Sequence, residues 1–432
     1  MALGGGTFIA QNKILPGAYI NFISLAKATS ALSDRGIAAM ALELDWGPEG
    51  EVFEVTKEDF LKNSLKIFGY DYSHDNLKGL RDLFLNIQKL YVYRLTSGGV
   101  KATNAFATAK YCGPRGNDLK IVIQTNVDDD QKFDVKTVLG TTVVDEQTVA
   151  SSVELQDNDF VTFKTDAQLT VTPGTALAGG ENGIVDGTAH QNALDAFEAY
   201  SFNALGAVTT DDTIKSLYAA YTKRMRDEVG QKFQCVLYNH AADYEGVVNV
   251  KNKATEEEPA LVYWVTGAIA GCPVNRSNLN KIYDGEYTVE ADYTQAQLED
   301  SIKNGQFTFH KVGSDIRVLS DINSLVTFTE DKGAIFQDNQ TIRVIDQIAN
   351  DIAVTFNTKY LGVVQNNESG RISFWSDIVK HHEELQALGA IEDFSDEDVI
   401  VEPGESKKSV VVNDKITVVN AMAQLYMTVV VA

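Results

Sequence analysis

The final stretch of the chain, Leu425 to Ala432, constrains the fold most strongly. It is rich in β-branched residues and contains neither Gly nor Pro. This composition favours a β-strand covered on both faces over a half-exposed edge strand. A strand with an unpaired edge is a template for another chain. We therefore expect this segment to form a C-terminal arm that completes a sheet in another subunit.

The residues just before this segment predict a β-hairpin. Asn413-Asp414 is a plausible turn. It separates two short apolar runs, Val410–Val412 and Ile416–Val419, which we expect to pair with each other.

The other end of the chain predicts a second arm. Gly4-Gly5-Gly6 indicates a flexible start, and Pro16-Gly17 precedes a further strand candidate, Ala18 to Ile23. The residues predicted to take part in strand exchange between subunits are Ala18, Tyr19, Ile20, Phe22 and Ile23 in this arm, and Leu425, Tyr426, Met427, Val429, Val430 and Val431 in the C-terminal one.

Composition excludes several classes of protein. The 432 residues are too many for one core and predict two to four domains. A net charge of -23 argues against nucleic acid as a partner, because phosphate binding needs clustered Lys and Arg. Both ends are mildly basic while the body between them is acidic, so charge would help steer the ends onto neighbouring copies. We expect no secretion signal and no insertion into a membrane, because the first residues lack a charged segment ahead of an apolar one and no apolar run approaches 18 residues.

Hydrophobic periodicity predicts an α/β (α+β) multi-domain protein with an inserted all-β domain. The insertion contains short strands and is bracketed by Gly98-Gly99 and Gly179-Gly180. The predicted domains are an N-terminal arm (1–24), a middle α/β domain (25–97 plus 181–324), an outer β-domain (98–180), a C-terminal assembly domain (325–424) and the C-terminal arm (425–432).

The assembly domain contains two predicted amphipathic helices, Gln340–Tyr360 and Arg371–Leu388. On the second helix we expect Lys380 and His381 to lie on the polar face, and we predict that they face a binding partner.

We find no pattern that predicts catalysis. The motifs G-x-x-x-x-G-K-[ST], G-x-G-x-x-G, G-x-S-x-G and H-E-x-x-H are all absent. The run His381-His382-Glu383-Glu384 lacks the i, i+4 spacing of a helical metal site, so we interpret it as a solvated helix face. Cys112, Cys235 and Cys272 form no C-x-x-C motif and are expected to be small buried residues. We therefore predict no catalytic residue, no metal and no cofactor.

The chain resembles the tail sheath proteins of contractile (myovirus-type) phage tails and of phage-tail-like bacteriocins. The resemblance extends over nearly the whole chain, and its motifs are specific in combination rather than singly. They are Pro16–Tyr19, Trp46–Pro48, Tyr111–Asn117, Val265–Gly271, Val274–Ser277, Asn304-Gly305, Asp321–Leu325, Arg343–Asp346, Val419–Met422 and Tyr426–Val429. Ser324 stands where Thr is expected.

This resemblance implies a structural polymer of stacked hexameric rings around a tail tube. The polymer would contract from a metastable extended state and drive the tube through the target cell envelope. Its partners would be other copies of the chain, the tail tube protein, and the baseplate and tail terminator proteins. The particle would be assembled in the bacterial host cytoplasm. In this family both arms add strands to sheets in neighbouring subunits, and the partner of Lys380 and His381 would be the tube.

Two other functions remain open from the residues alone. An α/β enzyme of unknown substrate would share the fold texture, although fold does not imply function. A self-assembling surface-layer protein would share the polymerising strand but should carry a signal peptide.

Overall fold

The computed structural model describes residues 32–431. They divide into two compact units. The larger unit contains residues 35–346 and 420–431, and the smaller unit contains residues 32–34 and 347–419. The predicted N-terminal arm, including Ala18–Ile23, lies outside the described residues.

The larger unit contains fifteen strands and six α-helices among its described residues. The strands are β1 (Ile37–Leu42), β2 (Val52–Thr56), β3 (Lys89–Arg94), β4 (Ala107–Ala109), β5 (Leu119–Thr125), β6 (Phe133–Leu139), β7 (Thr142–Val149), β8 (Val161–Phe163), β9 (Thr172–Ala176), β10 (Ala204–Ala207), β11 (Gln234–Tyr238), β12 (Val247–Val250), β13 (Gln306–Phe307), β14 (Phe309–Val312) and β15 (Asp315–Val318). The helices are α1 (Lys57–Phe68), α2 (Lys78–Phe84), α3 (Gly187–Phe197), α4 (Asp212–Arg224), α5 (Leu261–Gly271) and α6 (Gln295–Lys303).

A seven-stranded sheet in the order β13-β12-β11-β10-β1-β3-β2 forms the centre of this unit. All neighbouring strands are parallel except β2, which is antiparallel to β3. Ala38, Ala39 and Met40 of the central strand β1 are fully buried. One face packs against α2 and α5, and the other against α3 and α4. Coverage of both faces explains why β1 is a continuous apolar run rather than an alternating one.

Helix α5 is the most deeply buried helix of this core. Its residues from Leu261 to Ala270 are buried except Tyr263, as its uniformly apolar sequence predicts. It approaches α2 so closely that a methyl group added at Gly267 would lie 2.6 Å from the carbonyl oxygen of Leu83. Glycine is therefore required at this contact for steric reasons.

The segment between β3 and α3 forms the predicted all-β domain. Strands β7-β6-β5-β9 make one antiparallel sheet, and β4 pairs with β8. They share an apolar core that includes Leu119, Ile121 and Val135. This domain is tied firmly to the central sheet, because the fully buried Arg94 at the end of β3 donates hydrogen bonds to the carbonyl oxygen of Cys112 and to Asn182 Oδ1, both at 3.0 Å.

The smaller unit is built around two helices and two short sheets. Helix α7 (Asn339–Thr355) begins in the larger unit and ends in the smaller one, where a π-helical turn follows it over Phe356–Tyr360. Helix α8 (Glu368–Ala387) packs with that turn and with β17 around Phe374, Ile378 and Val399. The strands are β16 (Ile391–Glu392), β17 (Val399–Pro403), β18 (Val410–Asp414) and β19 (Thr417–Val418).

The strand pairing in this unit corrects the predicted hairpin. Strand β18 pairs antiparallel with β17, and β19 pairs with β16. The runs around Asn413-Asp414 are therefore both strands, but they do not pair with each other. Within residues 32–431, no helix combines the length and apolar character needed to cross a membrane.

We predict that Gly267→Ala destabilises the larger unit, because the added methyl group collides with backbone rather than with a movable side chain. Overpacking of this kind costs about 1–3 kcal/mol. The free energy of unfolding in urea measures the loss. The control is Gly187→Ala at the start of α3, where nothing lies within 4 Å of the added methyl group, and it should change that free energy by less than about 0.5 kcal/mol. Equal losses in the two variants would contradict the steric explanation.

Candidate assembly site

The C-terminal segment is the most exposed apolar stretch of the described chain. Residues 420–431 form neither helix nor strand. The side chains of Leu425, Tyr426, Val430 and Val431 are 84–90% exposed, although burying such a side chain is worth about 1.5–3 kcal/mol. The sequence predicts a covered strand here, whereas the single chain leaves these side chains in solvent. The difference arises because a strand needs backbone partners, and none is supplied to this segment by the described residues of the same chain.

The root of this segment is fixed to the first turn of α7. The Asn420 side-chain amide bonds with Thr341 Oγ1 at 3.1–3.2 Å, and the Ala421 N–H donates to Gln340 Oε1 at 3.0 Å. Gln340 and Thr341 are themselves buried. The segment therefore leaves the larger unit from a defined point.

The first turn of α7 is held in turn by Asp338. Its Oδ1 accepts hydrogen bonds from the backbone N–H groups of Gln340 and Thr341, at 2.7 and 3.2 Å. This is the usual role of an aspartate at a helix N-terminus. Burial raises the pKa of Asp338, and the nearby Asp321 carboxylate raises it further.

A buried ion pair supports the same turn. The Arg343 Nη2 lies 3.2 Å from Asp321 Oδ2, and both side chains are 1% exposed. Asp321 also accepts hydrogen bonds from Asn339 Nδ2 and from the Asn278 N–H, at 3.0 and 2.8 Å. Removing one partner of such a pair leaves a buried charge without compensation, which costs about 3–5 kcal/mol. The motifs around Asp321 and Arg343 therefore position the α7 turn from which the C-terminal segment departs.

The smaller unit offers edges of the kind that an added strand requires. Each of its two sheets has only two strands among the described residues. Ile400 on β17 and Val411 on β18 are 49% and 45% exposed. An exposed edge with apolar side chains is a site where another chain can pair.

The two residues predicted to face the tube, Lys380 and His381, lie in different environments. Lys380 is exposed on α8, whereas His381 is only 2% exposed, with its Nε2 3.0 Å from Asp351 Oδ2. The interpretation of His381 and His382 as part of a solvated face is therefore wrong, since His382 is fully buried as well. The helical spacing contained the missing signal: His381 follows the buried Ile378 by three residues and precedes the buried Leu385 by four, so all three share a face.

The cysteines and the possible metal ligands in the described chain show no features of a reactive site. All three cysteines are free and buried, and burial raises the pKa of Cys112 to about 11 and that of Cys235 to about 12. Thiols with raised pKa values are poor nucleophiles at neutral pH. Within residues 32–431, no group of three or more His, Cys, Asp and Glu side chains has an arrangement that could hold a metal ion.

Family models of phage tail sheath proteins match almost the whole described chain. Residues 35–95 match the tail sheath protein Gp18 domain III N-terminal region, and residues 97–182 match the phage tail sheath β-sandwich domain. Residues 183–324 match the central domain, and residues 331–432 match the C-terminal domain.

Individual proteins agree with these matches. The chain is 31% identical to the phage-like element PBSX protein XkdK of Bacillus subtilis, over 99% of both chains. A crystal structure of a sheath tail protein from Desulfitobacterium hafniense is 36% identical and covers 95% of this chain and 99% of its own, with a TM-score of 0.82. The helical sheath of the anti-feeding prophage in its contracted state has the same fold, with a TM-score of 0.58 at 11% identity over 97% of this chain and 99% of its own.

These matches confirm the resemblance and the α/β multi-domain fold with its β-sandwich domain. They are to structural proteins of phage tails and phage-tail-like particles, so the prediction that the chain is not an enzyme is also confirmed. The similarity to XkdK and to the Desulfitobacterium sheath protein extends over nearly the full length of each chain, and this chain therefore belongs to the phage tail sheath protein family.

Proposed function

We propose that the chain polymerises as stacked hexameric rings around a tail tube and contracts from a metastable extended state. Contraction drives the tube through the target cell envelope. The observation that carries the proposal is the exposed apolar segment 425–431, held at its root by Asn420 and Ala421. The shared fold with a contracted helical sheath supports the same conclusion.

The C-terminal segment acts by adding a strand to a sheet of another subunit. In an extended chain every second side chain points to the same face. One face of the added strand therefore carries Leu425, Met427, Val429 and Val431, which cover the acceptor sheet. Backbone hydrogen bonds give the added strand its register, and a slip of one residue would place the wrong side chains on that face. Ordering a strand costs about as much free energy as its apolar burial gains, so stability comes from many copies acting together.

The N-terminal arm takes part in the same exchange through Ala18, Tyr19, Ile20, Phe22 and Ile23. The arm contains Lys13 and no acidic residue, which complements the acidic body of a neighbouring copy. Together the two arms link each subunit to its neighbours in the polymer before and after contraction.

Each of the other domains has its own role in the sheath. Residues 98–180 form the outer decoration of the sheath, residues 25–97 with 181–324 form the middle domain, and residues 325–424 form the assembly domain that carries the C-terminal arm (425–432). Besides its own copies, the chain binds the tail tube protein, the baseplate and the tail terminator. Assembly takes place in the cytoplasm of the bacterial host.

We predict that removal of residues 425–432 gives folded protein that does not polymerise. The removed side chains are exposed in the single chain, so the free energy of unfolding should stay within about 0.5 kcal/mol of the full-length value. Negative-stain microscopy of purified protein reports the polymer. The matched pair of point variants is Val429→Lys, which should also abolish tubes, and Val429→Ile, which keeps a β-branched apolar side chain and should preserve them. Ordered tubes from the truncated protein would show that the segment does not join the subunits.

We also predict that Lys380→Glu weakens attachment of the sheath to the tube. This proposal now depends on Lys380 alone, because His381 is buried. Charge reversal at an exposed contact replaces attraction with repulsion. Co-purification of tube protein with assembled sheath measures the attachment. Lys303→Glu on α6 also reverses an exposed lysine and should leave co-purification unchanged, whereas unchanged co-purification of the Lys380 variant would count against a tube contact there.

A further inference from the structure

Two adjacent buried histidines form an unusual polar cluster in the smaller unit. His381 is 2% exposed and His382 is 0% exposed. Each ring contacts a different carboxylate: His381 Nε2 lies 3.0 Å from Asp351 Oδ2, and His382 Nε2 lies 2.9 Å from Asp414 Oδ2. The two Nδ1 atoms lie 3.4 Å apart. The roles of the four ring nitrogens follow from these contacts.

His382 has an acceptor at both ring nitrogens. Its Nδ1 lies 3.0 Å from the carbonyl oxygen of Ile378, and its Nε2 faces Asp414. A carbonyl oxygen and a carboxylate can only accept hydrogen bonds. Both nitrogens of His382 must therefore donate, and a histidine that donates from both nitrogens is the imidazolium cation.

His381 has a different arrangement. Burial opposes a charge on Asp351, but hydrogen bonds from His381, Ser33 and Gln347 hold the pKa of Asp351 below its usual range. Asp351 is thus a carboxylate at neutral pH, and His381 donates to it from Nε2. The Nδ1 of His381 lies 3.4 Å from the Nδ1 of His382, whose single N–H is donated to Ile378. A proton on His381 Nδ1 would place a second N–H beside the first with no acceptor between them, so His381 keeps a lone pair there and is neutral.

We propose that the two histidines carry one extra proton, held on His382, and that this proton fixes Ser33 and strand β18 in the smaller unit. At one end of the cluster the Ser33 N–H and hydroxyl donate to Asp351, and Gln347 Nε2 donates to Ser33 Oγ at 2.7 Å. Ser33 follows the predicted N-terminal arm. At the other end Asp414 closes β18, shortly before β19 and Asn420. The number of protons on the pair does not depend on the proposed function, whereas its importance for assembly does.

The cluster is stable with one proton and strained with none or two. Without the proton, His382 must turn a lone pair toward Asp414 or toward Ile378, so one hydrogen bond becomes a repulsion. With a second proton, two adjacent cations face each other through their N–H groups. Among residues 32–431, the carboxylates hydrogen-bonded to the pair are Asp351 from α7 and Asp414 from β18. Helix α8 itself carries Glu384 one turn after His381, and the uncharged ring of Phe394 lies 5.0 Å from His382.

Hydrogen–deuterium exchange of the full chain across a pH series tests this proposal. After correction for the intrinsic exchange rate, peptides over residues 410–419 of the wild type should exchange about tenfold faster or more once the proton leaves, because a hydrogen bond between charged groups is lost. In the Asp414→Asn variant the hydrogen bond to His382 remains but its donor and acceptor are exchanged, because the asparagine amide can donate to Nε2 of neutral His382. The corrected exchange rate of this variant should therefore not change with pH. The control Asp393→Asn changes an exposed carboxylate in a left-handed conformation that asparagine tolerates, and it should follow the wild type.

Two results would overturn the proposal. One is a wild-type profile without a pH-dependent step, or an Asp414→Asn profile that shows the same step. The other comes from ¹⁵N NMR of histidine side chains, where His382 should be an imidazolium and His381 a neutral ring protonated at Nε2; two neutral or two charged rings at neutral pH would contradict the shared proton. Both measurements report on local structure, so they remain informative even if the protein truncated at residue 425 still forms tubes.

Discussion

A β-strand is stable only when its backbone groups are paired and its apolar side chains are covered, and this requirement governs the whole chain. The central sheet meets it internally: β1 has hydrogen-bonded neighbours on both sides and helices over both faces. The C-terminal segment has a similar apolar, β-branched sequence but receives neither kind of coverage from the described chain. The same physical rule therefore makes β1 the centre of a core and leaves the C-terminal segment uncovered and without strand structure in the single chain.

The parts of the fold that could be predicted from sequence are those set by local chemistry. At the start of α1, Thr56 and Asp59 form a capping box, which needs only two residues three positions apart. The uniformly apolar α5 is buried. Strand pairing could not be obtained in this way. The turn chemistry at Asn413-Asp414 favoured a local hairpin, but β18 and β19 pair with strands that precede them in the chain. Strand β18 pairs with β17, the strand before it, rather than with the run that follows it, so a turn signal alone does not identify which neighbouring strand is the partner.

In the candidate site, too, features set by local sequence could be predicted and features set by distant contacts could not. The apolar C-terminal segment could be identified because its composition is unusual by itself. Its exposure in the single chain and its anchor could not, because both depend on contacts between residues distant in sequence, such as Asn420 and Thr341. The prediction that His381 lies on a solvent-exposed face is wrong, because a polar residue type does not by itself place a side chain at the surface. Its position between Ile378 and Leu385 placed it on the buried face, and Asp351 supplied the partner that makes burial of a polar ring tolerable. Amphipathic spacing should thus outweigh residue type when a polar side chain occupies an apolar position.

The fixed root of the C-terminal segment also sets how far the segment can reach. Val431 lies ten residues after the anchored Ala421, and ten extended residues span at most about 33–36 Å. An acceptor edge within that radius experiences the strand at a high effective concentration, while an edge beyond it cannot be reached at any concentration. If the segment joins another subunit as proposed, its length determines which neighbouring subunit it can reach. The same length then limits how far two joined subunits can separate before the added strand must leave its sheet.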